Sequence, residues 1–275
     1  MDLDREYNAR ATTPEVEEII AAYRARTDAA KAVLPWSTHS YGPTEPERLD
    51  VYPAGAGAPV LVFIHGGYWR ALDSADAGSM APAFVAADVC VVSVNYTLAP
   101  VASLDRIVDE CRRALAWVHG NIARFGGDAS RIHVAGSSAG GHLAGMLLVG
   151  GWQAALGLPE PAVAGATLLS GLFDLRPLLG THINGWMSLD EASAVRNSPA
   201  LLPLPSGLPV VLTYGETETS EFKRQTEDFA RRLGDAGCEV VVVPPRPRSN
   251  HFDIVFDLGE PGNALHEATR RSMGS

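Results

Sequence analysis

The apolar residues of the chain are concentrated in short runs of four to six residues, most of them rich in valine, isoleucine or leucine. Runs of this length and composition are typical of strands that are buried on both faces of a parallel sheet. The pattern therefore predicts six strands, at Val60–Ile64, Val89–Val94, Ile132–Ala135, Ala166–Leu169, Val210–Tyr214 and Val240–Val243.

Longer segments with helical composition and spacing separate these runs. They predict helices at Pro82–Ala87, Leu104–Arg124, Ala139–Leu148, Glu221–Gly237 and Ala264–Arg271. Strands and helices that alternate in this way favour an α/β fold, in which a doubly wound, mostly parallel sheet carries helices on both faces. The chain has 275 residues, and α/β folds of this length commonly form one domain. We therefore predict a single domain over residues 1–275.

Two segments do not follow the alternation of strands and helices. Within residues 1–35, the spacing of apolar residues predicts a helix over Pro14–Leu34 that packs on, or arches over, the main domain. Residues 178–209 contain Trp186 and several prolines between two strands. Connections of this length are uncommon without a function. We interpret residues 178–209 as a small cap, with an ordinary long connection as the alternative.

Composition and charge narrow the classes of partner. Apolar residues make up 46% of the chain and charged residues 20%, which is an ordinary globular balance. The formal charge is 22 − 32 = −10, which disfavours nucleic acid and anionic membranes as partners. No apolar stretch approaches the roughly 20 residues that span a bilayer. Residues 1–6 are acidic and lack the pattern of a secretory signal, so we expect a cytoplasmic protein.

The three cysteines do not suggest a chemical site. Cys90, Cys111 and Cys238 are far apart in the sequence and none belongs to a Cys-x-x-Cys pair. An odd number of cysteines with this spacing indicates neither a disulfide framework nor a zinc site. Cys90 lies inside an apolar run, where a buried and unreactive thiol is expected.

The clearest chemical motif is Gly136-Ser137-Ser138-Ala139-Gly140, which has the form G-x-S-x-G. It follows a predicted strand directly and opens a predicted helix, as required of a serine nucleophile on a tight strand-to-helix turn. Small flanking residues let such a turn close, and the helix N-terminus favours a developing negative charge. Ser138 is therefore the candidate nucleophile.

A second motif, His-Gly-Gly-Tyr-Trp at residues 65–69, follows the first of the predicted strands. Glycines at this position can turn backbone N–H groups toward a cavity, although Gly66 and Gly67 alone could form a plain turn. Together with the N–H of Ala139 they would form an oxyanion hole for acyl transfer. We expect Tyr68 and Trp69 to line the pocket wall, where their aromatic area suits an apolar or aromatic substrate.

A serine nucleophile needs a base. In α/β folds that carry a G-x-S-x-G serine on a strand-to-helix turn, this base follows the last strand. His251 lies on a loop after the run Val240–Val243 and is the preferred candidate among eight histidines. His266 is a weaker candidate because it lies in a predicted surface helix. His142 follows Ser138 by one helical turn and is expected to have a structural role.

The acid of the triad is expected in the loop after the strand Val210–Tyr214. Residues 215–220 read Gly-Glu-Thr-Glu-Thr-Ser and contain no aspartate, so a glutamate must orient the imidazole. We favour Glu218 because Glu216 is so close to the turn that its side chain can point to solvent.

These motifs resemble the arylformamidase (kynurenine formamidase-like) branch of the hormone-sensitive-lipase-type α/β-hydrolases. The matches run along nearly the whole chain in the order of the family. They are residues 6–10 (Glu-Tyr-Asn-Ala-Arg), 65–69, 136–142, 170–175, 215–218 with 221–225, and 250–253. Family members often carry aspartate where this chain has Glu218.

The resemblance implies hydrolysis of an N-acyl aromatic amine without a metal or other cofactor. N-formylkynurenine is the namesake substrate, and relatives also cleave N-acylanthranilates and simple aryl esters. The resemblance further implies that Ser138, Glu218 and His251 form the triad. A substrate carboxylate could pair with Arg70 or Arg176, although surface arginines without a role in binding are the commoner explanation.

Three functions therefore remain as hypotheses. The first is an arylformamidase or related aryl-acylamidase that works through an acyl-serine, and the second is a carboxylesterase for small aryl or short-chain esters. The third is a non-catalytic ligand-binding homologue, since a fold does not dictate a function. The expected partner is a small aromatic molecule, and the sequence leaves open whether the protein is a homodimer.

Overall fold

In the computed structural model, which describes residues 2–275, eight strands form one sheet in the order β1-β2-β4-β3-β5-β6-β7-β8. Strand β1 pairs antiparallel with β2, and β2 pairs antiparallel with β4. Every other neighbouring pair in the sheet is parallel. The strands are β1 Ser37–Ser40, β2 Arg48–Tyr52, β3 Ala58–Ile64, β4 Cys90–Val94, β5 Gly127–Ser137, β6 Gly165–Leu169, β7 Pro209–Thr213 and β8 Glu239–Val242. The α/β fold predicted from the sequence is confirmed.

Helices cover both faces of the sheet, as the alternation of strand side chains requires. In β3, Val62 and Ile64 belong to one buried cluster, and Leu61 and Phe63 belong to the cluster on the opposite face. The helices are α1 Leu3–Glu6, α2 Val16–Val33, α3 Ala81–Ala86, α4 Leu104–Asn121, α5 Ala139–Leu148, α6 Asn184–Met187, α7 Glu191–Arg196, α8 Ser220–Asp235, α9 Ile254–Leu258 and α10 Ala264–Ser272. The first cluster packs against α4, α5 and α8, and the second against α3, α9 and α10.

The N-terminal segment is anchored to both faces of the molecule. Tyr7 is fully buried in the first cluster, and its hydroxyl donates to Oε2 of Glu221 at 2.7 Å. Tyr23, on α2, packs in the second cluster. Its hydroxyl donates to the carbonyl of Phe252 at 2.5 Å, one residue beyond the candidate base. The segment therefore passes over the carboxyl ends of the central strands.

Residues 178–209 form short helical pieces next to this N-terminal segment. They include α6 and α7, and they contact α1 through His182, whose backbone N–H donates to Asp4 at 2.5 Å. Trp186 lies on α6, and its indole N–H donates to the carbonyl of Tyr68 at 3.3 Å. The two segments thus meet above the loop that follows β3.

No helix in residues 2–275 is both long enough and apolar enough to cross a membrane. All three cysteines are free. Burial raises the pKa of the Cys90 thiol to about 12, which keeps it protonated at neutral pH, in line with the expectation of a buried and unreactive thiol.

Candidate active site

Ser138 occupies the junction between β5 and α5 in a strained conformation. Its backbone has φ 56° and ψ −119°, a combination that side-chain-bearing residues rarely adopt and that costs of order 1–3 kcal/mol. The turn is held by a hydrogen bond from the N–H of Ser138 to the carbonyl of Leu169, on the neighbouring strand β6, at 2.8 Å. The hydroxyl makes no hydrogen bond within residues 2–275, and Ser138 lines the cavity described below.

Two glycines allow this turn to close. A Cβ atom on Gly136 would lie 2.2 Å from the carbonyl oxygen of Gly140, and one on Gly140 would lie 2.0 Å from that of Ile64. Both distances are far below van der Waals contact, and each would involve backbone that cannot swing away. The small residues of the G-x-S-x-G motif are therefore required by the packing of β3 and α5 behind the serine.

We expect Gly140→Ala to destabilise the fold by at least about 2 kcal/mol, because the new methyl group overlaps a backbone oxygen of the central strand β3. Urea unfolding followed by circular dichroism measures the effect. Gly234→Ala is the matched control, since Gly234 lies on α8 with open space around its Cα and alanine favours a helix. Equal unfolding midpoints for wild type and Gly140→Ala would contradict the packing argument.

The loop after β3 lies against the serine. A Cβ on Gly66 would be 2.8 Å from the carbonyl oxygen of Ser137 and 3.3 Å from Cβ of Ser138. Gly67 has φ +94°, which favours glycine because it lacks a Cβ. Among the hydrogen bonds of the described residues, none uses the N–H of Gly66, Gly67 or Ala139 as a donor. These three N–H groups are thus available to an oxygen atom beside Ser138.

His65 and Tyr96 fix the conformation of this loop. Their rings stack at 4.3 Å with an interplanar angle of 8°, and the Tyr96 hydroxyl lies 3.0 Å and 3.2 Å from the carbonyls of His65 and Gly66. Burial lowers the pKa of His65. In the neutral ring, Nδ1 donates to the carbonyl of Gly66 at 2.9 Å. His65 therefore supports the glycine loop at the wall of the cavity, which it also lines.

Glu218 and His251 are neighbours in the structure. Oε1 of Glu218 is 3.3 Å from Nδ1 of His251, and the two side chains are 1% and 3% exposed. The same oxygen accepts hydrogen bonds from the Ser170 hydroxyl and, at 2.9 Å, from the N–H of Gly215. The two groups face each other at this separation, while Nδ1 forms no hydrogen bond of normal geometry within the described residues. The carboxylate is oriented from one side by its own loop and from the other by Ser170.

The remaining candidates are placed elsewhere. Glu216 is exposed, and its carboxylate accepts from the backbone N–H of Arg248 at 2.5 Å. His266 lies on α10 but is 1% exposed, with Nδ1 2.9 Å from the carbonyl of Leu258. The expectation of a surface helix around His266 is therefore wrong for this side chain, since one face of α10 packs on the sheet.

Trp69 does not line the cavity, contrary to the expectation from the sequence. It is completely buried, and its indole N–H donates to Nδ1 of His142 at 3.3 Å. Nε2 of the same imidazole is 2.7 Å from the carbonyl of Asn197. Burial lowers the pKa of His142 to about 4, so the neutral ring links Trp69 to residues 178–209. Tyr68 and Trp69 both adopt positive φ angles, and of the two only Tyr68 lines the cavity.

A cavity of about 460 Å³ lies at the carboxyl ends of β3 and β5. Ser138, His251, Gly66 and Gly67 line its floor, together with side chains from both faces of the sheet. From one side come Tyr7, Tyr68 and Trp186, and from the other Ile20, Phe63 and Val255. Such a mainly apolar cavity with a few polar groups is the usual form of a small-molecule site.

The sequence alone did not assign a role to two residues of the site, Ser170 and Tyr7. Ser170 belongs to a matched motif, yet its contact with Glu218 depends on the pairing of β6 with β7. Tyr7 also lies in a matched motif, and only the fold brings it to the cavity. No cluster of three or more His, Cys, Asp or Glu in residues 2–275 could hold a metal ion.

Fold and site together define the chain as an α/β-hydrolase-type enzyme. A family model described as BD-FAE matches residues 49–156. Among solved structures, a proposed thioesterase from a Silicibacter species superposes with a TM-score of 0.84 at 24% identity, covering 98% of this chain and 99% of that one. Esterase LipW from Mycobacterium marinum gives a TM-score of 0.70, also at 24% identity, over 98% and 90% of the two chains.

Sequence relatives define the family more narrowly. The chain is 33% identical to kynurenine formamidase of Salmo salar over 85% of its length and 80% of that protein. It is 28% identical to kynurenine formamidase of Danio rerio over 99% and 96% of the two chains. The chain belongs to the kynurenine formamidase family of the α/β-hydrolases.

Proposed function

We propose that the protein hydrolyses the amide bond of an N-acyl aromatic amine, such as N-formylkynurenine or an N-acylanthranilate, through an acyl-serine. One observation carries the proposal: Ser138, Gly66, Gly67 and the His251 ring beside Glu218 all line one cavity. In this proposal Ser138, Glu218 and His251 form the triad. The kynurenine formamidases among its relatives support the choice of amide.

In the proposed first half-reaction, Oγ of Ser138 attacks the acyl carbon while His251 accepts the hydroxyl proton at Nε2. The carbonyl oxygen becomes an oxyanion and accepts hydrogen bonds from the N–H groups of Gly66, Gly67 and Ala139. Glu218 stabilises the imidazolium that forms and holds its tautomer. The C–N bond then breaks, the proton on His251 passes to the arylamine nitrogen, and the acyl group remains on Ser138.

In the second half-reaction a water molecule attacks the acyl-serine ester, and His251 accepts a proton from it. The C–Oγ bond breaks, the carboxylic acid leaves, and the proton returns to Ser138. An arylamine leaves more readily than an alkylamine because the ring delocalises its lone pair, so the machinery of an esterase suffices for an anilide. The aromatic side chains of Tyr7, Tyr68 and Trp186 favour an aromatic leaving group at that side of the cavity.

Residues 1–35 and 178–209 act together as a cap in this proposal. Their contacts through Asp4 and His182, and between Trp186 and Tyr68, support a cover that excludes water from the acyl-enzyme except for the attacking molecule. Tyr68 also donates to the carbonyl of Tyr7, which joins the glycine loop to the cap.

The test is to compare kcat/KM of the purified protein for N-formylkynurenine, an N-acylanthranilate and p-nitrophenyl acetate. Efficient turnover of the anilides, within about two orders of magnitude of the activated ester, is the expected result. A carboxylesterase is the second candidate, favoured by the similarity to esterase LipQ of Mycobacterium tuberculosis, at 29% identity over 79% of this chain and 56% of that protein. Turnover of the ester alone would favour it.

The cavity also supports acyl groups longer than formyl, because its apolar side extends to α2. We expect Ile20→Trp to fill this side and to lower kcat/KM for an N-hexanoyl anilide about tenfold relative to the N-formyl anilide. Ile19→Trp is the matched control, since Ile19 lies on the same helix without lining the cavity. An equal effect on both acyl lengths would place the acyl group elsewhere.

A further inference from the structure

Arg70 lies at the rim of the cavity, close to the glycine loop. The N–H of Arg70 donates to the carbonyl of Gly67 at 3.0 Å, which forms a turn between these residues. Such a turn brings the Cα atoms of its first and fourth residues within about 7 Å of each other. A guanidinium group on this backbone therefore lies within a side chain's reach of the oxyanion loop, and Arg70 does line the cavity.

The guanidinium of Arg70 rests on an aromatic ring. Its central carbon lies 4.2 Å from the centroid of the Trp186 indole, and Trp186 is fixed by its own hydrogen bond to the carbonyl of Tyr68 at 3.3 Å. Stacking uses the flat face of the guanidinium and leaves its N–H donors at the edges of the plane. The cation is thereby oriented while most of its donors stay free.

Arg70 differs from the other charged residues around the cavity because it forms no ion pair among the described residues. Arg10 pairs with Glu17, and Asp76 pairs with Arg24 at 2.7 Å. His182 lies 2.7 Å from the carboxylate of Asp4. The charges contributed by these groups are offset locally, so Arg70 leaves the cavity with an uncompensated positive charge in a chain whose formal charge is −10.

Arg70 also belongs to the aromatic side of the cavity. It contacts Trp186, which neighbours Tyr68 with ring centroids 6.3 Å apart, whereas the opposite side presents Ile20 and Val255. An uncharged acyl group suits the apolar side, so the leaving arylamine would lie on the side of Arg70. Arg176, the other arginine considered from the sequence, donates from Nη2 to Oδ2 of Asp174 at 2.7 Å. It does not line the cavity.

We propose that Arg70, held on the face of Trp186, is a specificity-determining residue that binds a carboxylate carried by the leaving arylamine. The preferred substrates are thus anilides whose leaving arylamine carries a carboxylate, whatever their net charge. This inference rests on the proposed amidase function and adds the charge of the substrate to it. A planar guanidinium can bind a carboxylate with two parallel N–H···O bonds. Arg70 is exposed at the rim, where its charge also attracts a carboxylate that the overall charge of the chain repels.

The test compares acid and ester forms of the same anilides with wild type and Arg70→Gln. N-formylanthranilate and N-formylkynurenine are each paired with their methyl esters, so that the two arms separate a carboxylate on the ring from one on the side chain. For at least one scaffold we expect Arg70→Gln to raise KM for the acid about tenfold to hundredfold with little change in kcat. For the methyl ester, KM should differ less than about twofold between wild type and Arg70→Gln. Differences in intrinsic reactivity between acid and ester cancel, because each substrate is compared between the two enzymes.

Two further variants exclude a merely structural effect. Arg70→Lys keeps the charge without the planar fork and should give an intermediate KM. Arg176→Gln removes an exposed arginine outside the cavity and should leave both substrates unchanged. Added salt should raise KM for the acid with wild type and have a smaller effect with Arg70→Gln, since salt screens the charge.

The outcomes separate this inference from the proposed function. If wild type cleaves acids and esters equally well and Arg70→Gln alters neither, the amidase function stands and the role of Arg70 is rejected. A loss on acid and ester alike would also reject it, because the effect would not depend on the carboxylate. If wild type cleaves no anilide at all, the proposed function fails and the inference fails with it.

Discussion

Ser138→Ala is expected to lower kcat for any cleaved substrate by roughly 10⁴- to 10⁶-fold, because in the proposed mechanism the hydroxyl forms the covalent intermediate. The oxyanion donors and the binding cavity remain in the variant and leave a small residual rate. The structural effect should be slight, since Ser138 makes no side-chain hydrogen bond in the described residues and alanine removes one atom from a cavity wall. The measurement combines steady-state kinetics with labelling by a fluorophosphonate probe.

Ser137→Ala is the discriminating control, since Ser137 also lines the cavity and is the neighbouring alternative for the labelled atom. It should keep both labelling and activity, because Ser137 ends strand β5 whereas Ser138 occupies the strained turn. Labelling that survives Ser138→Ala would reject the proposed nucleophile. Absence of labelling in wild type would instead favour the non-catalytic, ligand-binding hypothesis.

Glu218→Gln is expected to lower kcat by about 10³- to 10⁴-fold, the size of effect seen when a triad acid loses its charge. The carboxylate is fixed by Ser170 and by the N–H of Gly215, and it faces Nδ1 of His251 at 3.3 Å. An amide at this position cannot stabilise the imidazolium that forms when Ser138 is deprotonated. It can also present its NH₂ group to Nδ1 and so favour the wrong tautomer.

The matched control is Glu216→Gln, two residues away in the same loop. Glu216 is exposed and its carboxylate accepts from the backbone N–H of Arg248, and it forms no ion pair with His251 among the described residues. We expect its kcat to stay within about threefold of wild type, as for most surface substitutions. A larger loss of kcat for Glu216→Gln than for Glu218→Gln would mean that Glu216, and not Glu218, is the acid of the triad.

Local patterns predicted the parts of the fold that depend on neighbours in sequence. The run Val60–Ile64 forms the core of β3, and α5 begins and ends where the sequence predicts, at Ala139 and Leu148. A strand inside a parallel sheet is buried on both faces whatever its neighbours, so a continuous apolar run is enough to predict such a strand. By contrast, α9 (Ile254–Leu258) was not predicted, because a helix of five residues has too few apolar positions to show a period.

The directions of the aromatic side chains were harder to predict. Tyr68 and Trp69 follow the same glycines, and sequence alone placed both at the pocket wall. Both residues have positive φ angles, yet only Tyr68 lines the cavity, while the indole of Trp69 donates to His142. Such angles are uncommon for aromatic residues, and the surrounding contacts impose them.

By itself, the sequence determined the α/β class and the position of Ser138 between a strand and a helix, and it predicted Glu218 and His251 as the partners of Ser138 in the proposed triad. These properties depend on period, spacing and small residues, which are local. Only the tertiary structure decided that Ser170 holds Glu218, that α2 forms one wall of the cavity, and that Arg70, unlike Arg176, lies there without an ion pair. Contacts of this kind join residues far apart in the chain, so they exist only once the strands have paired and the N-terminal segment has folded over their ends.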